Sequence, residues 1–175
     1  MFAVEQPGLL TAFAAAMAAA RFVIQAAQIN TRALPGGAHQ AVDLFWVHGE
    51  EQHDEGLESR LLKLEQNLTA VLRGDIAPES LVESKEPSSW RLRSTPPVFT
   101  EVVFDHHASE QYTVIEVLTE DRRALLFTLA TALHELGVSV AVAKICTEGK
   151  RAVDVFYVTE LGGLKIQPGP RTEEI

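Results

Sequence analysis

The chain has 175 residues, 46% of them hydrophobic and 22% charged, with a formal net charge of -9. This is a globular composition with room for one ordinary domain or two small ones. The acidic balance excludes a duplex nucleic acid as partner, because the one local basic cluster, Arg91 and Arg93, is too short to reverse it. A single cysteine, Cys146, cannot form an internal disulfide, and its place in an apolar strand pattern predicts a small buried core residue.

In chain order, a short strand is predicted at Phe2-Ala3-Val4. Leu9 to Ala20 (LLTAFAAAMAAA) follows, too short to span a bilayer and preceded by Glu5 rather than by Lys or Arg. It is read as a buried domain helix, and the chain as cytoplasmic with no membrane partner. A strand with apolar positions Ile24, Ala27 and Ile29 comes next. A turn, Ala33 to His39, leads into the strand Val42 to Val47. Leu57, Leu61, Leu64, Leu68, Val71 and Leu72 recur at helical spacing, closed by Gly74. A long loop with Pro78, Pro87, Pro96 and Pro97 spans the linker 75–97, and a strand is predicted from Val98 to Asp105.

The pattern then repeats. Tyr112 to Thr119 is a strand, and Leu125, Leu126, Leu129, Ala130, Leu133 and Leu136 form a helical stripe that Gly137 stops. Residues 5–31 and 121–147 align without a gap. In both copies the apolar positions change parity within the strand after the helix, after Ile24 and after Val142, which predicts a β-bulge or sharp coil there. Gly149-Lys150 turns into the strand Arg151 to Thr159, whose Val153-Asp154-Val155-Phe156-Tyr157-Val158 echoes Val42-Asp43-Leu44-Phe45-Trp46-Val47. A polar tail with Pro168 and Pro170 ends the chain. The fold class is therefore α+β. The first unit reads β-α-β-β-α-β, a ferredoxin-like order that uses the strand 98–105 to close, and the second lacks its last helix and strand. Both faces of the third strand of each copy are apolar, which points to a second face packed on the other repeat or on another chain.

Three stretches resemble ACT domains, small regulatory modules that bind amino acids: Glu5-Gln6-Pro7-Gly8-Leu9-Leu10 after a strand, Ile24 to Thr31, and Asp154 to Val158. Val103-Phe104-Asp105, Ser109, Thr113-Val114-Ile115-Glu116-Val117, Asp121-Arg122 and Leu125-Leu126 further resemble the tandem C-terminal ACT region of the bacterial PII uridylyltransferase/uridylyl-removing enzymes. That resemblance implies two ACT domains, 1–108 and an incomplete 109–175. It also implies an amino-acid ligand, glutamine foremost, that governs a catalytic domain in nitrogen regulation. The implied partners are the amino acid, and a catalytic domain or a second copy of the chain. The chain departs from the family pattern at Arg123-Ala124, where Pro-Gly is usual, and at Glu5-Gln6, where Asp-Arg is usual. The alternative reading is a ligand-free interaction or dimerisation module derived from ACT domains.

A strand-to-helix turn suits a carboxylate, because a helix start leaves N–H groups unpaired and carries partial positive charge. The favoured binding residues are Glu5, Gln6, Pro7, Gly8 and Leu9 with Asn30 and Thr31 on the adjacent strand; the same residues also fit a plain Pro-Gly helix start. A weaker second site comprises Asp121, Arg122, Ala124 and Thr147, with a structural role favoured there. No catalytic residue, cofactor or metal site is expected. His53-Asp54 and His106-His107 lie in polar turns without convergent ligands and are read as solvated.

Overall fold

The computed structural model describes residues 2–4, 8–35, 39–50, 56–83 and 98–175. Strand β1 (Phe2–Val4) precedes helix α1 (Leu9–Ala19), the long strand β2 (Phe22–Ala33), and β3 (His39–Val42) with β4 (Leu44–Gly49). Helices α2 (Leu57–Leu72) and α3 (Pro78–Glu83) follow, then β5 (Glu101–Asp105). The second repeat runs β6 (Thr113–Glu120), α4 (Leu125–Glu135), β7 (Val138–Glu148), β8 (Arg151–Glu160) and a short α5 (Pro170–Glu174). The α+β class is as expected, and α3 occupies part of what the sequence suggested was an unbroken loop.

Six strands form an antiparallel sheet in the order β5-β6-β8-β7-β2-β4, and β3 and β1 continue it along the far end of β2. The two repeats join edge to edge, through five residue pairs from Ala26↔Cys146 to Asn30↔Val142. An irregularity is present in each strand at equivalent positions: a register shift lies between Ile24 and Ala26, as expected, and another between Val140 and Val142, just ahead of the point after Val142 where the pattern put it. One extra residue in each strand turns the following side chains onto the opposite face. This carries Ala27, Ile29, Ala143 and Ile145 into a core shared by both repeats, with Ala14, Ile115, Leu126, Leu133, Phe156 and Val158.

Two closing elements differ from the sequence reading. Strand β5 does not close the first unit; it pairs with β6, from Glu101↔Leu118 to Asp105↔Val114. Strand β1 has three residues and β6 has eight, so the second repeat offers much the longer edge. The polar tail also carries a short helix, α5, where none was expected, and the segment before it is fastened to the core. Ile166 is 1% exposed and joins the core, the Thr113 hydroxyl donates to its carbonyl at 2.7 Å, and Lys165 Nζ donates to the carbonyls of His106 and Ser109. Arg171 on α5 pairs with Glu160 and donates to the Leu136 carbonyl, fastening the helix over the end of α4.

Helix α1 is buried along ten of its eleven residues, because it packs against α2, α3 and α4 as well as the sheet. A helix surrounded in this way must be apolar on every side, which explains its alanine run. It lies antiparallel to α4. The Arg123 side chain, at the start of α4, donates to the Ala18 carbonyl near the end of α1 at 3.2 Å. Reciprocally, a Cβ placed on Gly8 would stand 3.5 Å from the His134 ring near the end of α4. The α2 leucine stripe buries only in part: Leu64 and Leu68 pack on the α1 cluster, whereas Leu57, Leu61 and Leu72 are exposed.

The repeats also share backbone at each helix start. Gly8 (φ 79°) and Ala124 (φ 57°) hold equivalent left-handed N-cap positions. An L side chain in that conformation costs roughly 1–2 kcal/mol, which glycine avoids while losing some chain entropy on folding. Ala124→Gly is therefore expected to stabilise the chain by about 1 kcal/mol, read as a rise in the urea midpoint at unchanged slope.

Among the described residues, nothing covers the outer face of the sheet around β4. Leu44 and Trp46 are 52% and 50% exposed. The repeats meet at their edges, so neither covers the other's outer face, contrary to one option the sequence left open. Cys146 lies on this face and is exposed rather than buried, because the shift before Val142 gives the core positions to Ala143 and Ile145.

Candidate functional site

A cavity of about 380 Å³ opens where the second repeat turns from β6 into α4. Asp121 to Phe127 form one wall, Ile145, Thr147 and Asp154 form the sheet floor, and Arg21 to Ile24 with Glu50 from the first repeat close the far side. Both repeats are therefore needed to enclose it. Of the sequence candidates, Asp121, Arg122, Ala124 and Thr147 are all brought together here.

Glu5, Gln6 and Pro7 lie outside the described residues, as do the Thr31 side chain and His53-Asp54. Gly8 caps α1, Leu9 turns into the core at 4% exposure, and Asn30 is exposed. A hollow is present beside Ala124, the equivalent of Gly8 in the second copy, while most of the first turn, where sequence reasoning favoured the site, lies outside the described residues.

The chemistry of the cavity is set by its turn. Asp121 receives backbone support, its N–H donating to the Lys150 carbonyl at 2.8 Å. Ala124 provides no side-chain cap for α4, so the helix start presents amide donors and a partial positive charge to whatever occupies the hollow. Arg122 is exposed at the rim. On the far wall Arg21 pairs with Glu50 at 3.2 Å. That wall is clamped from behind by Arg60 of α2, 2% exposed, whose guanidinium donates to the carbonyls of Arg21 and Glu50. A Cβ on Gly49 would lie 3.0 Å from this guanidinium, so the strand end is bare of a side chain where the clamp passes.

Two carboxyls face the cavity, Asp154 from the floor and Asp121 from the turn. Burial raises Asp121 above its ordinary value, against a hydrogen bond from the Arg122 backbone. Burial raises Asp154 further, to about 7, with the charge of Asp121 adding to it and a hydrogen bond from the Cys146 backbone opposing. Sequence reasoning passed over Asp154 and Arg60. The signal for both was positional, since each is a charged residue at a core-facing register of an otherwise apolar pattern.

A second hollow, of about 470 Å³, lies between β4 and α2 and is lined mainly by Phe13, Met17, Phe45, Leu61, Leu64 and Leu68. Among the described residues no group of three or more His, Cys, Asp or Glu could hold a metal ion, and no helix is long and apolar enough to cross a membrane. His106 is not free in solvent as expected; its ring lies 3.2 Å from the Ile166 carbonyl and stacks on Phe104.

No protein-family model matches the chain. It is 35% identical over 165 residues, 93% of its length, to a bifunctional uridylyltransferase/uridylyl-removing enzyme of Rhodospirillum rubrum. It is 38% identical over 172 residues, 95% of its length, to the enzyme of that name from Azospirillum brasilense, and 35% identical over its whole length to the one from Rhodopseudomonas palustris. The chain spans 17–18% of the length of these relatives. The two repeats and the cavity between them thus belong to a chain homologous, nearly end to end, to one segment of the bifunctional uridylyltransferase/uridylyl-removing enzymes.

Proposed function

We propose that the chain is an amino-acid-sensing regulatory module of two tandem ACT-type units, with glutamine as its ligand and the β6–α4 cavity as the site. The observation that carries the reading is the cavity itself. It opens at the strand-to-helix turn, takes residues from both repeats and is large enough for one small zwitterion. The ligand's carboxylate lies against the amide donors at the start of α4, with Arg122 at the rim. Binding there bridges the repeats, since Arg21 to Ile24 and Glu50 stand opposite the turn. Arg60 then ties the far wall to α2, giving occupancy a route to an exposed helix.

The homology to a segment of uridylyltransferase/uridylyl-removing enzymes supports a partner of matching kind. That partner is a catalytic portion acting on PII in nitrogen regulation, in the cytoplasm, with this chain contributing control rather than chemistry. Calorimetry of the chain with glutamine and the other amino acids at millimolar concentration tests the reading. Glutamine at a hundred times its dissociation constant stabilises the fold by about 2.7 kcal/mol. No heat and no thermal shift with any amino acid would count against it.

One observation favours a second reading, an interaction module without a ligand: Leu44 and Trp46 stand exposed on the outer sheet face. Analytical ultracentrifugation separates the two, because a self-associating module shifts its sedimentation with concentration and a Leu44→Ser, Trp46→Ser variant does not.

A further inference from the structure

Asp154 is 1% exposed and sits on the helix-facing side of β8, between Val117 of β6 and Ile145 of β7. Among the described residues its Oδ1 has no hydrogen-bond partner, although the residue lines an open cavity. An unsatisfied buried acceptor destabilises a fold, and a charged one more so. The charged groups around the cavity do not relieve it. Arg123, on the β6–α4 turn, is directed at the Ala18 carbonyl, and Arg21, across the cavity, is paired with Glu50. Arg122 is exposed at the rim, and the nearest like group, Asp121, repels. The lining residues of α4 and β7 are Leu125, Leu126, Phe127, Ile145 and Thr147, which carry no charge. The vacant oxygen and the second carboxyl beside it call for a small cation with N–H donors.

We propose that Asp154 is the specificity determinant of this cavity, its free carboxyl oxygen accepting the ammonium group of an amino-acid ligand whose carboxylate lies against the start of α4. The inference rests on the amino-acid reading above and adds an orientation and a proton to it. Burial holds the empty-state carboxyl up to about 7, so below that pH it carries a proton. An ammonium group favours the carboxylate, and binding then transfers the Asp154 proton to solvent while the N–H···O bond forms. Affinity rises about tenfold per pH unit up to that value and levels off above it.

Calorimetry of the full chain tests this with glutamine and with glutaric acid monoamide, which keeps the carboxylate and amide and lacks the ammonium. Titrations near pH 6 run in buffers of different ionisation enthalpy. The expected results are nearly one proton released per glutamine bound, at least tenfold weaker binding of the monoamide, and loss of that discrimination in Asp154→Asn. The proton count needs only the wild-type chain, so it stands whether or not the variant folds. If glutamine binds with no proton release, or Asp154→Asn keeps the wild-type preference, the role of Asp154 is overturned and the sensing function survives. If neither glutamine nor any other amino acid binds the wild-type chain, the sensing function falls and this inference with it.

Discussion

Asp154→Asn, with no ligand present, is expected to raise stability at about pH 8 by on the order of 4 kcal/mol more than it does at about pH 4. The wild-type carboxyl stands at about 7 in the folded chain, against an ordinary value of 3.8, chiefly because it is buried. A carboxyl that is harder to ionise when folded binds its proton more tightly in the folded state. The fold therefore keeps its full stability below 3.8, loses it as pH climbs from there toward 7, and loses no more beyond. Asparagine has no proton to give up, so the variant is free of that loss. Asp121 is raised as well, and its smaller dependence of the same sign remains in the variant. Urea unfolding at several pH values reads the effect. A constant difference between the two proteins from pH 4 to pH 8 would show that Asp154 is not held neutral in the folded chain.

This cost bears on how much of the molecule its sequence disclosed. Local devices were legible. The parity change in each strand announced a register shift, because an extra residue must move every following side chain to the other face, although the second shift falls just before Val142 rather than after it. The stop at Gly137 (φ 72°) followed from its tolerance of left-handed backbone. Non-local choices were not legible. Val102 to Phe104 would pair equally well, by pattern, with either repeat, and the decision fell to the longer edge of β6. Ile166 entered the core only because the β5–β6 turn closes over it through His106, Ser109 and Lys165. Of the two turns, glycine content pointed to the first. That turn lies largely outside the described residues, and the cavity at the second could not be read locally, because what encloses it is Arg21 to Ile24 and Glu50, far away in the sequence.

The shared core yields the other large effect. Phe156 is fully buried on β8, paired across the sheet with Ile115 and Ala143. Its cluster includes Ala14 of α1 and Ala27 and Ile29 of β2, which belong to the other repeat. Phe156→Ala is expected to cost about 3–5 kcal/mol, the lost burial plus the void left behind. Two independently folding units would confine that loss to the second repeat. Here the sheets are continuous through β2 and β7, and α1 is buried against α4. A first repeat stripped of α4 would expose an all-apolar helix face to water, so the loss must be shared. Amide hydrogen exchange of α1 and of β8 should accelerate together, by about two to nearly four powers of ten. Exchange that quickens in β8 while α1 stays protected would show two separable domains and would remove the structural basis for a ligand that bridges them.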